Sequence, residues 1–257
     1  MLVNIKPHNQ CLFLRTDNPL EVSVLERPIF GGVIMDVDKY TNQKPIVKSG
    51  KIGFKSYLEE HAKRAKDIYE LSKKYGKHCS IGVIGEDMNH LVASLDCLTA
   101  LIRRTRKEDI SFGLPITQLH NHTLESFSKN KLFSYLDIPA MNISDCLNEY
   151  QLQMASSFGV DYVTFDFDKA SRHLIKRGLH RRADKDKPIL DKITSLVLTS
   201  LERGRNYIDR NNLPTKIIAE GLSELEDVQK AWSAGAHIAS VDYKSWENFN
   251  GLAVSGK

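Results

Sequence analysis

Short runs rich in β-branched residues alternate with longer segments of helical period along this chain. Parallel strands joined by crossover helices produce this pattern, because each parallel strand needs a helix to return the chain to the same end of the sheet. The 257 residues are the size of one α/β barrel. We therefore expect one domain over residues 1–257, a (β/α)8 TIM barrel. Its predicted strands are Cys11–Arg15, Gly31–Met35, Cys79–Ile84, Ile110–Leu114, Ala140–Ile143, Tyr162–Phe165, Lys216–Ala219 and His237–Val241.

Two helices have clear signatures. Apolar residues recur at three- and four-residue spacing from Phe54 to Leu71, which predicts an amphipathic helix ending at Gly76. A second helix is expected to begin at Ser223, whose hydroxyl can cap it while Glu226 reaches back, and to end at Gly235.

Composition restricts the partners. A formal net charge of +4 is a weak basic balance, which favours a small anionic ligand over nucleic acid. The polar start and the absence of a long apolar run exclude a membrane span, so we expect a cytosolic protein. Cys11, Cys79, Cys97 and Cys146 are scattered, which predicts reduced thiols and no zinc site. We expect no metal and no cofactor.

One stretch carries a family resemblance. Residues 138–169, IPAMNISDCLNEYQLQMASSFGVDYVTFDFDK, resemble the transaldolase segment N-[VIC]-T-x-x-F-S-x-x-Q, a helix, G-[AV], and a strand ending S-P-F-V-G-R. The residues that fall on the family's Asn, Thr, Gln, Gly, Ser and Arg are Asn142, Ser144, Gln151, Gly159, Thr164 and Lys169.

Three further segments extend the resemblance over nearly the whole chain. LFLRTDN is similar to the family's first strand, SFGLPIT to its fourth, and the stretch from IIAEGL to WENF to its last two strands. The chain thus resembles the small, fructose-6-phosphate-aldolase-like transaldolases. The resemblance implies an aldolase-superfamily barrel in carbohydrate metabolism and a sugar phosphate as the small anionic ligand.

The residues that carry the family's reaction are changed. Gly113 occupies the position of the lysine that forms a Schiff base, and Arg15 that of the first-strand aspartate. Gly82 replaces a polar third-strand residue, and Asp36 falls on the second-strand asparagine. Glycine has no nucleophile and arginine is not an ordinary base, so the covalent mechanism is not expected to run from these positions.

The same comparison suggests a site. We expect Asp36 and Glu220 to act as acid or base, with Asn142, Ser144 and Thr164 as surviving polar partners. Lys169 is expected to hold a phosphate as a point charge, near the positions of Gly221 and Ser223, and Arg15 could supply a bidentate fork. This last role requires Arg15 to point inward, and an end-of-strand salt bridge is an equal alternative.

Acidic residues follow most predicted strands. Such an acidic collar could bind a cation or create a general acid, but helix capping explains each acid separately and is favoured. His120 and His122 lack a third ligand and are not expected to bind metal. The collar comprises Asp36, Asp38, Glu86, Asp87, Asp145, Asp166, Asp168, Glu220 and Asp242.

Three functions stay open. The first is acid–base chemistry on a phosphorylated sugar or related polyol, and the second is non-catalytic binding of a sugar phosphate or a protein. The third is an aldolase with a displaced lysine, for which Lys39, Lys169 and Lys244 are candidates. The basic segment 169–187 favours a loop over an anionic ligand. A homo-oligomer is possible, but the last helix looks too short for the family's ring.

Overall fold

All eight predicted strands are present, and they pair in sequence order as a closed parallel barrel. The computed structural model describes residues 10–35, 50–83, 88–101, 109–116, 140–176 and 187–255. The (β/α)8 TIM-barrel prediction is therefore confirmed. The strands are β1 (Cys11–Thr16), β2 (Phe30–Met35), β3 (His78–Gly82), β4 (Ile110–Pro115), β5 (Met141–Cys146), β6 (Tyr162–Asp166), β7 (Lys216–Glu220) and β8 (Ile238–Asp242).

Helices occupy the connections between the strands. A 3-10 helix, Pro19–Glu26, follows β1, and the predicted amphipathic helix is α1. The α-helices of the described residues are α1 (Gly50–Lys74), α2 (Met88–Leu101), α3 (Glu149–Ser157), α4 (Phe167–Leu174), α5 (Lys187–Arg210), α6 (Leu225–Ser233) and α7 (Tyr243–Ser255).

The predicted start of α6 is wrong by one residue. Its N-cap is Glu224, which makes no side-chain capping bond, so Ser223 and Glu226 do not form a capping box. Glu226 instead lies 2.8 Å from Lys230 one turn along the helix. This i,i+4 ion pair uses the carboxylate that a capping box would need to bind the backbone N–H of the N-cap residue. The helix ends at Ser233, two residues before Gly235.

Contacts divide the chain into two compact units, so the prediction of a single domain stays a prediction. One unit is Phe13–Asn142. In it the thiol of Cys79 on β3 is hydrogen-bonded to Ser72 of α1. Because side chains alternate along a strand, Ser80 and Gly82 face the opposite side, the barrel interior. The register then places Gly113 of β4 beside Gly82 on this interior face.

The other unit comprises Met1–Leu12 and Ile143–Lys257. Its strands β6 and β7 pair from Tyr162 with Lys216 to Asp166 with Glu220. Helices α3 and α5 pack closely, since a Cβ added at Gly204 would lie 2.5 Å from Leu152 Cδ1. The glycine therefore sets the distance between these two helices.

The four cysteines all lie within the described residues, and none of them is joined in a disulfide there. Burial raises the pKa of Cys79 to about 12 and also raises the pKa of Cys146, so both behave as small buried hydrophobes. Within the described residues, no helix combines the length and apolar character needed to cross a bilayer.

Candidate functional site

Three carboxylates and one lysine meet at the carboxyl ends of β5, β6 and β7. Oxygen atoms of Asp145, Asp166 and Glu220 lie within 4.8 Å of one another. The ammonium of Lys169 lies 2.7 Å from Asp145 Oδ1 and 3.4 Å from Asp166 Oδ2. We call these four residues the acid–lysine cluster. In α/β barrels this end of the strands is where active sites form.

The pairing of β6 with β7 brings two of the acids together. Asp166 and Glu220 are register partners at the last position of each strand. Side chains at paired positions of parallel strands project to the same face, and Thr164 shares that face because it lies two residues before Asp166. Asp166 is 2 % exposed and Glu220 is 6 % exposed. Two acids are thus held side by side and almost out of water.

Helix α4 positions the lysine. Asp166 caps α4, and its Oδ1 accepts a hydrogen bond of 2.8 Å from the backbone N–H of Lys169. One turn of helix then places the Lys169 ammonium beside the other oxygen of the same carboxylate. Asp166 therefore has two roles: it caps the N-terminus of α4, and it pairs with the ammonium of Lys169 on the first turn of that helix.

Asp145 reaches the cluster through an unusual backbone. Its φ is 62°, a left-handed conformation that is uncommon for residues with a side chain but several-fold enriched for Asp and Asn. This conformation interrupts the strand alternation at the end of β5. It places the carboxylate 2.7 Å from Lys169, with the side chain 21 % exposed.

Gly221 follows Glu220 in the chain, and its backbone lies against Asp166 and the start of α4. Its φ is 75°, and an added Cβ would lie 2.9 Å from the backbone nitrogen of Asp168 and 3.0 Å from Asp166 Oδ1. The start of α4 packs against this backbone. Only glycine fits both the conformation and the distance.

The cluster has an acidic balance. Three carboxyl groups meet one ammonium, so acidic groups outnumber basic ones in the cluster. Three carboxylate oxygens this close are of the kind that bind a hard divalent cation, but the Lys169 ammonium already pairs with two of the acids. The geometry therefore fits proton transfer between buried acids better than it fits a cation site.

Two predicted site residues, Glu220 and Lys169, meet in this cluster. Thr164 is buried on the same face of β6 as Asp166, Ser144 is half-buried on β5, and Ser223 is exposed after β7. Gly221 packs on α4.

The other predicted residues are placed differently. Asn142 is 2 % exposed on β5, and its Nδ2 would lie 3.9 Å from a Cβ at Gly113. Arg15 is half-buried on β1. Asp36, named as a catalytic acid, lies outside the described residues.

The rest of the acidic collar includes one further capping acid, Asp242. Asp242 accepts a 2.6 Å hydrogen bond from the backbone of Ser245 at the start of α7, as Asp166 does for Lys169. Asp168 pairs with Arg172 on the surface of α4. Asp38, Glu86, Asp87, Lys39 and the His120–His122 pair lie outside the described residues.

Two members of the cluster, Asp145 and Asp166, were placed in the acidic collar, for which helix capping was favoured over a cation site or a general acid. For Asp166 this role is confirmed, but it does not exclude a second one. The sequence signal for a shared site was that each acid lies at the carboxyl end of one of two neighbouring strands, with a lysine three residues after Asp166. Of the displaced-lysine candidates, Lys169 lies in the cluster and Lys244 is exposed.

Comparisons with known proteins establish the fold. No protein-family model and no curated protein sequence matches this chain. Among solved structures 338 chains match, one of them thiamine phosphate pyrophosphorylase from Pyrococcus furiosus. It is 11 % identical, with a TM-score of 0.53, and the match covers 91 % of this chain and 86 % of that one. The match shows the barrel fold and leaves the transaldolase resemblance unconfirmed.

Proposed function

We propose that this chain is an enzyme that acts on a phosphorylated sugar or a related polyol by acid–base chemistry, without a lysine adduct. The observation that carries the proposal is the side-by-side burial of Asp166 and Glu220, with Lys169 beside them. Carboxyl groups held this close titrate as a coupled pair, and such pairs supply one acid and one base. Burying carboxyl groups costs free energy, which for Asp166 is offset by the hydrogen bond to the start of α4 and by the ion pair with Lys169.

The chemistry follows from these groups. One carboxylate accepts a proton from a substrate hydroxyl, or from a carbon beside a carbonyl group. The other, in its acid form, donates a proton to the oxygen on which negative charge develops. Lys169 stabilises that charge while Asp145 holds the ammonium in place. Positioned acids and bases of this kind contribute about 10²–10⁴-fold in rate.

The phosphorylated substrate class has two supports. One is the transaldolase resemblance of the strands, and the other is the fold neighbour, whose name includes a phosphorylated compound. The two ion pairs of Lys169 give it a role in supporting the acids, so a phosphate would have to compete with carboxylates there. Ser223 therefore stays a predicted phosphate ligand, and the predicted role of Arg15, which belongs to the other compact unit, stays a separate prediction.

The first experiment finds a ligand and then follows its protons. Sugar phosphates and the matching unphosphorylated polyols are screened by thermal stabilisation, and each ligand found is incubated in D₂O while NMR records hydrogen exchange and turnover. We expect at least one sugar phosphate to stabilise the protein and to exchange a carbon-bound hydrogen. Absence of exchange and turnover for every ligand found would leave a binding protein and refute the enzyme.

Variants of the cluster then test the roles. Asp166→Asn keeps a good helix-cap acceptor while removing the charge, and Glu220→Gln keeps the volume. Both should lose about 10²-fold or more in rate while remaining folded. The matched control is Glu226→Gln, which removes a carboxylate from an exposed lysine pair. Full activity in both cluster variants would refute the proposed roles.

Borohydride reduction separates this mechanism from an aldolase with a displaced lysine. Fructose 6-phosphate is incubated with the protein, reduced and analysed by mass. We expect no adduct. An adduct that disappears in Lys169→Met would show that this lysine acts as a nucleophile and would refute a mechanism without a lysine adduct.

A further inference from the structure

The interior face of β3 and β4, within the unit Phe13–Asn142, is lined by small residues. Ser80 of β3 pairs with Ser111 of β4, and Gly82 pairs with Gly113 one layer nearer the carboxyl ends of the strands. Bulky branched side chains usually fill such layers in an α/β barrel. A Cβ added at Gly113 would lie 3.5 Å from its nearest neighbour, so there is room beside this glycine. We call these four residues the Ser–Gly face.

The hydroxyl of Ser80 is the observation that points to a ligand. Ser80 is 1 % exposed, and its Oγ has no hydrogen-bond partner among the residues that the structure describes. Native proteins leave few buried polar groups in this state, because an unmade hydrogen bond costs free energy. The Ser111 hydroxyl, by contrast, lies 3.0 Å from His78 Nε2. Ser80 therefore offers an unused donor and acceptor on the same face as Gly82.

The backbone of both glycines is held in place. The carbonyl oxygen of Gly82 lies 2.9 Å from Nε2 of His61 on α1, and because a carbonyl only accepts, Nε2 is the donor. The backbone N–H of Val83 donates to the carbonyl of Gly113 at 2.7 Å. These two hydrogen bonds fix the strand ends, so the Ser–Gly face does not have to be ordered when a ligand binds.

The groups along this face determine the chemistry of the ligand. Beside the Ser80 hydroxyl, the amide nitrogen of Asn142 would lie 3.9 Å from a Cβ at Gly113 and borders the same space. None of the four residues of the face carries a charge, and neither does Asn142. A buried charge needs a partner of opposite sign, whereas a neutral hydroxyl needs only hydrogen bonds. The face therefore fits a slim, neutral chain that carries hydroxyl groups.

We propose that the Ser–Gly face binds the hydroxylated carbon chain of a sugar or polyol, with one ligand hydroxyl bonded to Ser80 Oγ. The inference rests on the proposed function for the class of substrate, and it adds the residues that recognise the hydroxyl groups. The chain lies over Gly82 and Gly113, where only glycine permits so close an approach to the backbone. Asn142 donates to a second hydroxyl.

Saturation-transfer-difference NMR, which detects weak binding, tests the proposal with ribitol and xylitol as probes. The matched ligand is an unbranched pentanediol with hydroxyls only at its two ends. We expect the polyols to bind and the pentanediol to bind at least about ten-fold more weakly, because a site built for hydroxyls rejects a ligand that lacks them.

Two variants test the residues. Ser80→Ala should weaken polyol binding about ten-fold without lowering Tm, since the hydroxyl it removes has no partner in the described part of the chain. Gly113→Val should prevent binding by filling the space. The matched control is Ser156→Ala, which removes another buried hydroxyl, bonded to the carbonyl of Leu152 at 2.6 Å, and should leave binding unchanged.

Three results would overturn the proposal: no binding of either polyol, equal binding of the pentanediol, or unchanged polyol binding in Ser80→Ala. The last would show that the hydroxyl holds only an internal water molecule. The inference can be separated from the enzyme. Polyol binding that Ser80→Ala weakens, without any hydrogen exchange, would refute the enzymatic function alone, whereas exchange and binding that Ser80→Ala leaves unchanged would refute this inference alone.

Discussion

Gly221→Ala is the most direct test of how the acid–lysine cluster is held. The backbone of Gly221 has a φ of 75°, and a left-handed conformation costs an L-residue roughly 1–2 kcal/mol. The added Cβ would also lie 2.9 Å from Asp168 N and 3.0 Å from Asp166 Oδ1. Forcing one extra carbon into a packed site costs about 1–3 kcal/mol more.

The total is therefore roughly 2–5 kcal/mol of unfolding free energy. In a chain of this length each kcal/mol lowers Tm by about 2–4 °C, so thermal unfolding should show a decrease of roughly 4–20 °C. Because Asp166 must shift, turnover of any substrate found should fall by more than the loss of folded protein explains.

Gly159→Ala separates the two contributions. Gly159 has nearly the same φ, 71°, but nothing lies within 4 Å of the position of its Cβ. This variant should lose only the backbone share, roughly 1–2 kcal/mol. Equal destabilisation of both variants would refute the close packing of Gly221 on the start of α4.

Three further predictions concern other parts of the chain. Burial lowers the pKa of His61 to about 4, and burial with the neighbouring Arg205 lowers the pKa of His237 to about 4. The unfolded chain therefore takes up these protons first, and stability should fall as pH decreases from about 6.5 towards 4; urea unfolding at several pH values should show a weaker decrease in His61→Gln and His237→Asn. Ellman's reagent should label Cys11 and Cys97 in the folded protein and reach the buried Cys79 and Cys146 only after unfolding, whereas fast labelling of all four would contradict the described burial. Gly113→Ala should change Tm little, because the nearest atoms to its added Cβ lie 3.5–3.9 Å away; a large loss would show that this position is tightly packed.

The barrel could be predicted because strand and helix periods are local properties of the sequence. β-Branched runs such as KIIAE and YVTFD mark the strands, and the order of elements determines the parallel topology. The predicted start of α6 was wrong by one residue, and the reason is also local. The Ser223–Glu226 spacing satisfies a capping pattern, but Lys230 offers Glu226 another partner.

Half of the cluster was not predictable in the same way. Glu220 and Lys169 lie at positions that the family resemblance marks, whereas Asp145 enters through a left-handed backbone that no periodicity encodes. Asp166 was named in the acidic collar, but helix capping was favoured for it because a cap explains an acid at a helix start without any tertiary contact. The contacts among the four cluster residues depend on tertiary structure. The register of β6 with β7 places Asp166 beside Glu220, and the direction of α4 places Lys169 beside Asp145.

Two glycines at positions of the family's polar residues differ in their physical cause. At Gly221 the backbone conformation and the close approach of the start of α4 require glycine. At Gly113 neither condition holds, since an added Cβ would make only ordinary contacts with Gly82, Ile81 and Asn142. Packing therefore requires glycine at Gly221 and does not require it at Gly113, which is why Gly221→Ala should be costly and Gly113→Ala should not.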